Sequence, residues 1–135
     1  MPTTLSVLAI CIGASAGALA RWGLGLWLTP GGVIPWGTLA ANLIGGYLVG
    51  ICITAFQAIP QLDPIWRLLL VTGFLGGLTT FSSFSAEVVG FLMAERYALA
   101  LGTATAHVAG SLLMTVAGIK SATFFIAFIP TSKLG

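Results

Sequence analysis

The segment GGLTTFSSFSAE, residues 76–87, interrupts an apolar run with two glycines, five hydroxyl side chains and a carboxylate. Glycine loses backbone entropy in a helix and threonine is stiff at its first side-chain torsion, so both are poor residues for the middle of a membrane helix. We therefore expect the helix to unwind within residues 76–80, where Gly76-Gly77 is followed by Thr79-Thr80. Carbonyl groups freed inside a membrane are tolerated where protein buries them or where they bind a cation, as in the broken helices of transporters. A simple packing kink is the alternative.

The composition around this segment is that of a membrane protein. Of 135 residues, 58% are hydrophobic and 6% are charged, and the mean hydropathy is +1.08. A soluble domain has about a quarter charged residues. A helix needs about 20 apolar residues to cross a bilayer, and four runs reach that length, at about residues 5–28, 36–59, 65–93 and 97–119. The expected fold is an all-α membrane protein, a single transmembrane domain of four helices with the third broken near its middle.

The positive charges barely favour one orientation in the membrane. With four spans, Arg67, Lys120 and Lys133 lie on the side of the termini, and Arg21 and Arg96 lie on the other. Because orientation normally follows an excess of basic residues in the cytoplasmic loops, this small difference hardly specifies a direction. Either a partner or the lipid sets the orientation, or the chain inserts both ways up and forms an antiparallel, dual-topology homodimer.

The number of helices and the small residues both bear on assembly. Four helices pack around side chains and leave no aqueous channel, so a transport pathway needs a second subunit or a large gap. Gly13 and Gly17, and again Gly46 and Gly50, recur at the four-residue spacing of closely packed membrane helices. Each pair suits packing within one subunit as well as packing between two. We expect a dimer, whose orientation these pairs do not determine.

Several polar side chains fall at membrane depth, where they usually face the protein interior or a pathway. The amide of Asn42 is the most demanding, because its two donors and two acceptor lone pairs all need partners. Others form a stripe on the fourth run, and two are charged; the set comprises Arg21, Thr38, Asn42, Glu87, His107, Ser111 and Thr115. The alternatives are hydroxyl groups that bond to their own helix and a histidine that serves packing.

Two phenylalanines follow the glycine pair. Phe81 and Phe84 are three residues apart and therefore share one face of a helix. The edge of an aromatic ring carries a partial positive charge, so an anion can approach it without a charged partner. Filling a hydrophobic core is the ordinary role of such a pair, and the spacing alone does not exclude it.

Four segments resemble the Fluc family of small fluoride channels. The segment TGFLGGLTTFSSFSAE, residues 72–87, is similar to the signature of that family. WGTLAANLIGGYLVG (residues 36–50) resembles the second helix of the family, and GASAGALARW (residues 13–22) resembles the first. AGSLLMT, residues 109–115, matches the fourth. The resemblance covers nearly the whole chain, in order.

The resemblance implies a fold and an activity. Members of the family are antiparallel, dual-topology homodimers of the cell membrane that lower cytoplasmic fluoride by passive export through two antiparallel pores. It further implies a structural sodium ion at the centre of the dimer, held by the backbone carbonyls of Gly76 and Thr79. This sequence has Ala40 and Ala41 where relatives commonly carry a hydroxyl group shortly before the asparagine.

The resemblance also implies roles for individual side chains. Phe81 and Phe84 would contact fluoride through their ring edges. The polar groups lining the same pathway would be Asn42, Ser111 and Thr115. Arg21 and Glu87 would lie in the vestibule, because a carboxylate inside the narrow pore would repel the ion. Neutral donors would bind fluoride weakly at several points, which favours conduction over trapping.

Two other functions fit part of the pattern. A small, dual-topology, proton-coupled drug antiporter would share the four short helices, and Glu87 would be its titratable carboxylate. Its chamber should hold aromatic residues suited to organic cations, whereas the tryptophans lie mostly near the ends of the runs, as interfacial anchors do. A purely structural membrane subunit leaves residues 76–87 unexplained. No nucleophile–base pair or cofactor loop in the sequence indicates an enzyme.

Overall fold

The computed structural model describes residues 3–129, which are helical apart from short connections. Within that range four spans are long and apolar enough to cross a membrane. They are α1 (Thr3–Leu28), α2 (Trp36–Ala58), the third span (Pro64–Met93), whose second half is α3 (Phe81–Met93), and α4 (Tyr97–Ile126). The predicted all-α architecture with four spans is confirmed. Lys133, which was counted in the charge bias, lies outside the described residues.

The ends of the spans follow local sequence signals. Asp63 caps the third span, since its Oδ1 accepts a hydrogen bond from Ile65 N–H at 2.9 Å, and Pro64 takes the first helical position, where a missing N–H costs little. The fourth span extends beyond the predicted end near residue 119 and reaches Ile126. Its continuation contains no glycine or proline, so nothing in the local sequence stops the helix after Lys120.

The two glycine pairs pack within the chain. A Cβ atom placed on Gly13 or Gly17 would meet backbone atoms of the third span, and one placed on Gly46 or Gly50 would meet the backbone of α4. Small residues let the two backbones approach this closely. For these four positions the interpretation as packing inside one subunit is therefore confirmed, and they supply no surface for a second subunit.

The third span is interrupted within the predicted stretch, just after its two glycines. Gly76 and Gly77 are still helical, and the first half of the span ends at Leu78. Thr79 (φ −86°, ψ 152°) and Thr80 (φ −149°, ψ 121°) are extended, and α3 begins directly after them. The interruption therefore falls at the two threonines of the predicted stretch rather than at its glycines. Gly77 serves packing instead, because a Cβ atom there would lie 3.0 Å from the backbone nitrogen of Ala18 on α1 and closer still to a neighbouring carbonyl.

The first half of the third span is also unusual before the interruption. From Leu68 to Leu75 it is wound as a π-helix, which the sequence did not predict. Such segments are rare and often occur at functional sites. This one packs on α1 at a glycine contact, where a Cβ atom on Gly73 would lie 2.9 Å from the Cα atom of Gly13. After this π-helical segment and the interruption, α3 packs against α2 and α4.

Candidate functional site

A groove of about 490 Å³ lies beside the interruption. Its walls come from α2, the third span and α4, and most of them are apolar. The polar and aromatic residues that line it are Asn42, Thr79, Thr80, Phe81, Phe84, His107 and Ser111. The groove therefore brings together residues from three of the four spans, including most of those predicted to form a pathway.

Asn42, on α2, hydrogen-bonds to the backbone of the interruption. Its Oδ1 accepts a hydrogen bond from Thr80 N–H at 2.8 Å, and its Nδ2 donates to the Thr80 carbonyl at 3.0 Å. The amide thus supplies the acceptor that the Thr80 N–H loses where the helix stops, and it adds a donor to the Thr80 carbonyl. Nδ2 also lies 2.9 Å from Nδ1 of His107 on α4. Because an amide nitrogen carries two hydrogens, both donors of Asn42 are engaged.

The interruption frees two carbonyl groups of the third span. In an unbroken helix the Gly76 carbonyl would accept from the N–H of Thr80, and the Thr79 carbonyl would accept from the N–H of Ser83. Thr80 N–H donates to Asn42 instead, and Ser83 N–H donates to the Thr80 hydroxyl at 3.1 Å. Both carbonyl oxygens therefore lose their regular backbone donor to a side chain.

Arg21 contacts a third carbonyl at the same place. Its Nε donates to the Gly77 carbonyl oxygen at 3.2 Å, an oxygen that would otherwise accept from the first residue of α3. The guanidinium group therefore lies against the end of the first half of the third span. It is not among the residues that line the groove.

Three rings of the groove, those of Phe81, Phe84 and His107, contact one another in a row. The ring of Phe81 meets that of Phe84 edge to face, with centroids 5.5 Å apart and an interplanar angle of 74°. On its other side Phe84 stacks on the imidazole of His107, at 4.6 Å and 26°. The shared face predicted for the two phenylalanines is confirmed. Their surroundings differ, since Phe84 is 9% exposed and Phe81 is 77% exposed.

His107 and Glu87 meet behind Phe84. His107 is 4% exposed, and its Nε2 lies 3.9 Å from Oε2 of Glu87. Neither of these two atoms has a hydrogen-bond partner within residues 3–129. The Thr38 side chain on α2 lies close to the Glu87 carboxyl group. The carboxyl group of Glu87, the imidazole of His107 and the hydroxyl group of Thr38 come from three helices and lie close together.

The whole chain can be compared with known proteins. A family model described as "CrcB-like protein, Camphor Resistance (CrcB)" matches residues 8–119. The chain belongs to the CrcB-like family. Proteins named "Fluoride-specific ion channel FluC" are similar to it. That of Albidiferax ferrireducens is 74% identical over 128 residues, covering 95% of this chain and 98% of the relative. That of Variovorax paradoxus is 68% identical over 117 residues, covering 87% and 94%.

Membership of the CrcB-like family agrees with the four apolar spans, and the chain is a multi-pass membrane protein. The similarity is not confined to close relatives. The protein of the same name from Nitrosomonas europaea is 54% identical over 122 residues, covering 88% of this chain and 94% of that protein.

Two of the residues assigned to the pathway differ in their placement in this CrcB-like chain. Ser111 lines the groove. The Thr115 hydroxyl donates to the Ser111 carbonyl of its own helix at 3.0 Å and lies against Gly46, 3.4 Å from the position that a Cβ atom would take there. Thr115 is not among the residues lining the groove. Its role in a pathway stays a prediction.

Sequence reasoning gave too little weight to two residues of the site. His107 was interpreted as one member of a polar stripe, and packing was the alternative offered for it. Its position four residues before Ser111 was the available signal, but nothing in the sequence pairs it with Asn42. Thr80 was predicted as a residue that disfavours the helix and as one of five hydroxyls; the sequence did not indicate that its backbone and its side chain both organise the interruption.

Proposed function

We propose that the chain is a fluoride-selective ion channel that lowers cytoplasmic fluoride by passive export. Membership of the CrcB-like family and the names of its relatives support this proposal. The observation that carries it is the groove, in which neutral hydrogen-bonding groups and aromatic rings meet at an interrupted membrane helix. Fluoride is strongly hydrated, so it crosses a membrane only where other groups replace its water.

The pathway runs along Asn42, Phe81, Phe84, Ser111 and Thr115. The Ser111 hydroxyl offers fluoride a hydrogen bond, and the edges of the phenylalanine rings offer partial positive charge. None of these groups carries a net charge, so each holds the ion weakly and allows it to leave. Asn42 contributes chiefly by fixing the interruption, because both of its N–H donors are already engaged.

The charged residues act outside the narrow part of this pathway. Arg21 lies against the Gly77 carbonyl and draws anions towards the vestibule. Glu87 lies close to Thr38 and His107 and is not among the residues that line the groove. A carboxylate in that position leaves the ring edges of the two phenylalanines free to meet an anion.

A second copy of the chain completes the groove. Several polar positions of the third span are exposed at membrane depth, namely Thr72, Gly76, Ser82 and Ser85, and Phe81 is 77% exposed. Polar groups and backbone do not face lipid without cost, so these positions require a protein cover. The weak charge bias supports an antiparallel arrangement, in which two dual-topology copies form a homodimer with two antiparallel pores.

The freed carbonyls of Gly76 and Thr79 fit a structural sodium ion at the centre of that dimer. Hard cations prefer oxygen ligands, and backbone carbonyls of broken membrane helices bind Na⁺ in transporters. Both oxygens have lost their regular backbone donors, and Gly76 is exposed on the face that the second copy would cover. Sodium, when bound, supplies the positive charge that balances the carbonyl dipoles of two interrupted spans.

The central test is fluoride and chloride efflux from liposomes containing the purified protein, followed with ion-selective electrodes. We expect fluoride to leave rapidly and chloride to stay. In Phe84→Ile the buried ring beside His107 is lost, and fluoride efflux should fall by at least about tenfold, the effect of losing roughly 1.4 kcal/mol of stabilisation along the path.

The matched control for Phe84→Ile is Phe125→Ile, the same change at a phenylalanine that is 68% exposed near the end of α4. It should conduct fluoride like the unmodified protein. If liposomes containing the unmodified protein retained fluoride but took up an organic cation in response to a proton gradient, the result would contradict the fluoride channel and favour the antiporter. Glu87 would then be the residue to study.

Sodium removal tests the central ion separately. Replacing Na⁺ by N-methyl-D-glucamine during purification should lower the thermal stability of the dimer and slow fluoride efflux, and adding Na⁺ back should restore both. The physical reason is that an ion bound only by the folded state stabilises that state by mass action. Equal stability and equal efflux in the two cations would contradict the sodium site while leaving the fluoride channel intact.

A further inference from the structure

The orientation of the Asn42 amide is fixed by the backbone of Thr80. A backbone N–H can only donate and a carbonyl can only accept. The atom 2.8 Å from Thr80 N must therefore be Oδ1, and the atom 3.0 Å from the Thr80 carbonyl oxygen must be Nδ2. An exchanged amide would set donor against donor and acceptor against acceptor, so the usual ambiguity between O and N does not arise.

This orientation in turn fixes the protonation of His107. Nδ2 of Asn42 can only donate, so Nδ1 of His107, 2.9 Å away, must accept. A neutral imidazole that accepts at Nδ1 carries its proton on Nε2. Helix α4 packs on α2 and α3; α2 presents the neutral Asn42, and α3 presents the titratable Glu87, whose Oε2 lies 3.9 Å from Nε2. A carboxylate on that side favours the same proton on Nε2.

We propose that His107 is a positioning residue of the groove, which holds the Asn42 amide closed on Thr80 by accepting its second N–H at Nδ1. The ring is 4% exposed and stacked on Phe84 at 4.6 Å, and a half-turn in its own plane would set a carbon atom in place of Nδ1 against the Asn42 donor. The same imidazole therefore contacts both the Asn42 amide, which hydrogen-bonds to Thr80, and the ring of Phe84. The inference rests on the proposed function only where transport is the measured quantity.

His107 also lines a second cavity. This cavity of about 190 Å³ lies between the starts of α2 and α4, beside residues such as Trp36, Leu39 and Thr103. Removal of the ring would leave Nδ2 of Asn42 without the acceptor that lies 2.9 Å away, and would therefore release the amide.

The tautomer can be observed directly, because the chain contains one histidine. Protein labelled with ¹⁵N-histidine should show, at neutral pH, the two ring-nitrogen signals of a neutral imidazole with its proton on Nε2. In Asn42→Ala the donor to Nδ1 is gone, so the Nδ1 signal should move away from its position in the unmodified protein, although the Glu87 carboxylate still favours the proton on Nε2. A proton on Nδ1 in the unmodified protein, or a spectrum that Asn42→Ala leaves unchanged, would overturn the inference.

Two substitutions separate the two ring nitrogens in function. An asparagine side chain places an oxygen acceptor near the position of Nδ1, whereas a glutamine side chain reaches the position of Nε2 and leaves that of Nδ1 without an acceptor. We expect His107→Asn to conduct fluoride within about threefold of the unmodified protein and His107→Gln to lose about tenfold, the effect of one hydrogen bond. The reverse order would mean that Nε2 carries the function and would overturn the inference.

Failure of the proposed function would be recognised separately. If the unmodified protein does not conduct fluoride, the efflux comparison is replaced by the thermal stability of the same variants, which should follow the same order. The ¹⁵N spectrum decides the tautomer whatever ion the protein conducts. If His107→Asn does not fold, the spectra of the unmodified protein and of Asn42→Ala still confirm or overturn the proposed role of His107.

Discussion

Replacing Asn42 by aspartate should reduce fluoride efflux to the level of protein-free liposomes and destabilise the fold by about 3 kcal/mol or more. The change keeps the shape of the side chain and the acceptor for Thr80 N–H. It replaces the donor by a second oxygen, which would face two acceptors, the Thr80 carbonyl 3.0 Å away and Nδ1 of His107 2.9 Å away. Each buried group left without its partner costs about 1–3 kcal/mol, and a buried charge adds to that cost.

The matched control for Asn42→Asp is Gln57→Glu, the same amide-to-acid change at an exposed position of α2. It should leave efflux and thermal stability close to those of the unmodified protein. Efflux in liposomes and thermal unfolding in detergent would be measured on both variants. If Asn42→Asp conducted fluoride at the normal rate, the amide could not be the group that organises the interruption, and the path would have to bypass Thr80.

The architecture was predictable because membrane thickness and run length determine it. Four apolar runs separated by prolines, glycines or charges can only be four helices, since lipid offers the backbone no other partner. The interruption was predictable from the glycines and threonines that open residues 76–87, but which of these residues leave the helix was not. Gly77 looks like a helix breaker in sequence, whereas in the fold it is the point where the third span touches α1.

The residues of the site were predicted better than their partners. Asn42 and the two phenylalanines could be selected by their residue type alone, as an amide and two aromatic rings at membrane depth, and all three line the same groove in the structure. The bond between Asn42 and His107 joins residues 65 positions apart, and no local period encodes such a pairing. Thr115 shows the opposite case, because the hydroxyl that continues a polar stripe in sequence bonds to its own helix in the fold.

The closeness of α1 to the third span leads to the second large effect. Gly17→Ala should abolish the folded protein or destabilise it by about 3 kcal/mol or more, at the upper end of the cost of overpacking. The added methyl group would lie 2.7 Å from the backbone nitrogen of Leu78 and closer still to the Phe74 carbonyl oxygen. Both neighbours are backbone atoms, so no side chain can turn away, and α1 would be pushed off the segment that leads into the interruption.

Gly23→Ala makes the same change on the same helix and separates this contact from helix propensity. A methyl group at Gly23 meets nothing within 4 Å in the described chain, and alanine is the better helix former by about 0.8–1 kcal/mol. Gly23→Ala should therefore be as stable as the unmodified protein or slightly more stable, in thermal unfolding of purified protein. If both variants were equally stable, α1 could not pack as closely on the third span as it does. Normal folding of Gly17→Ala with impaired efflux would instead mean that α1 can move away and that only the geometry of the interruption depends on the contact.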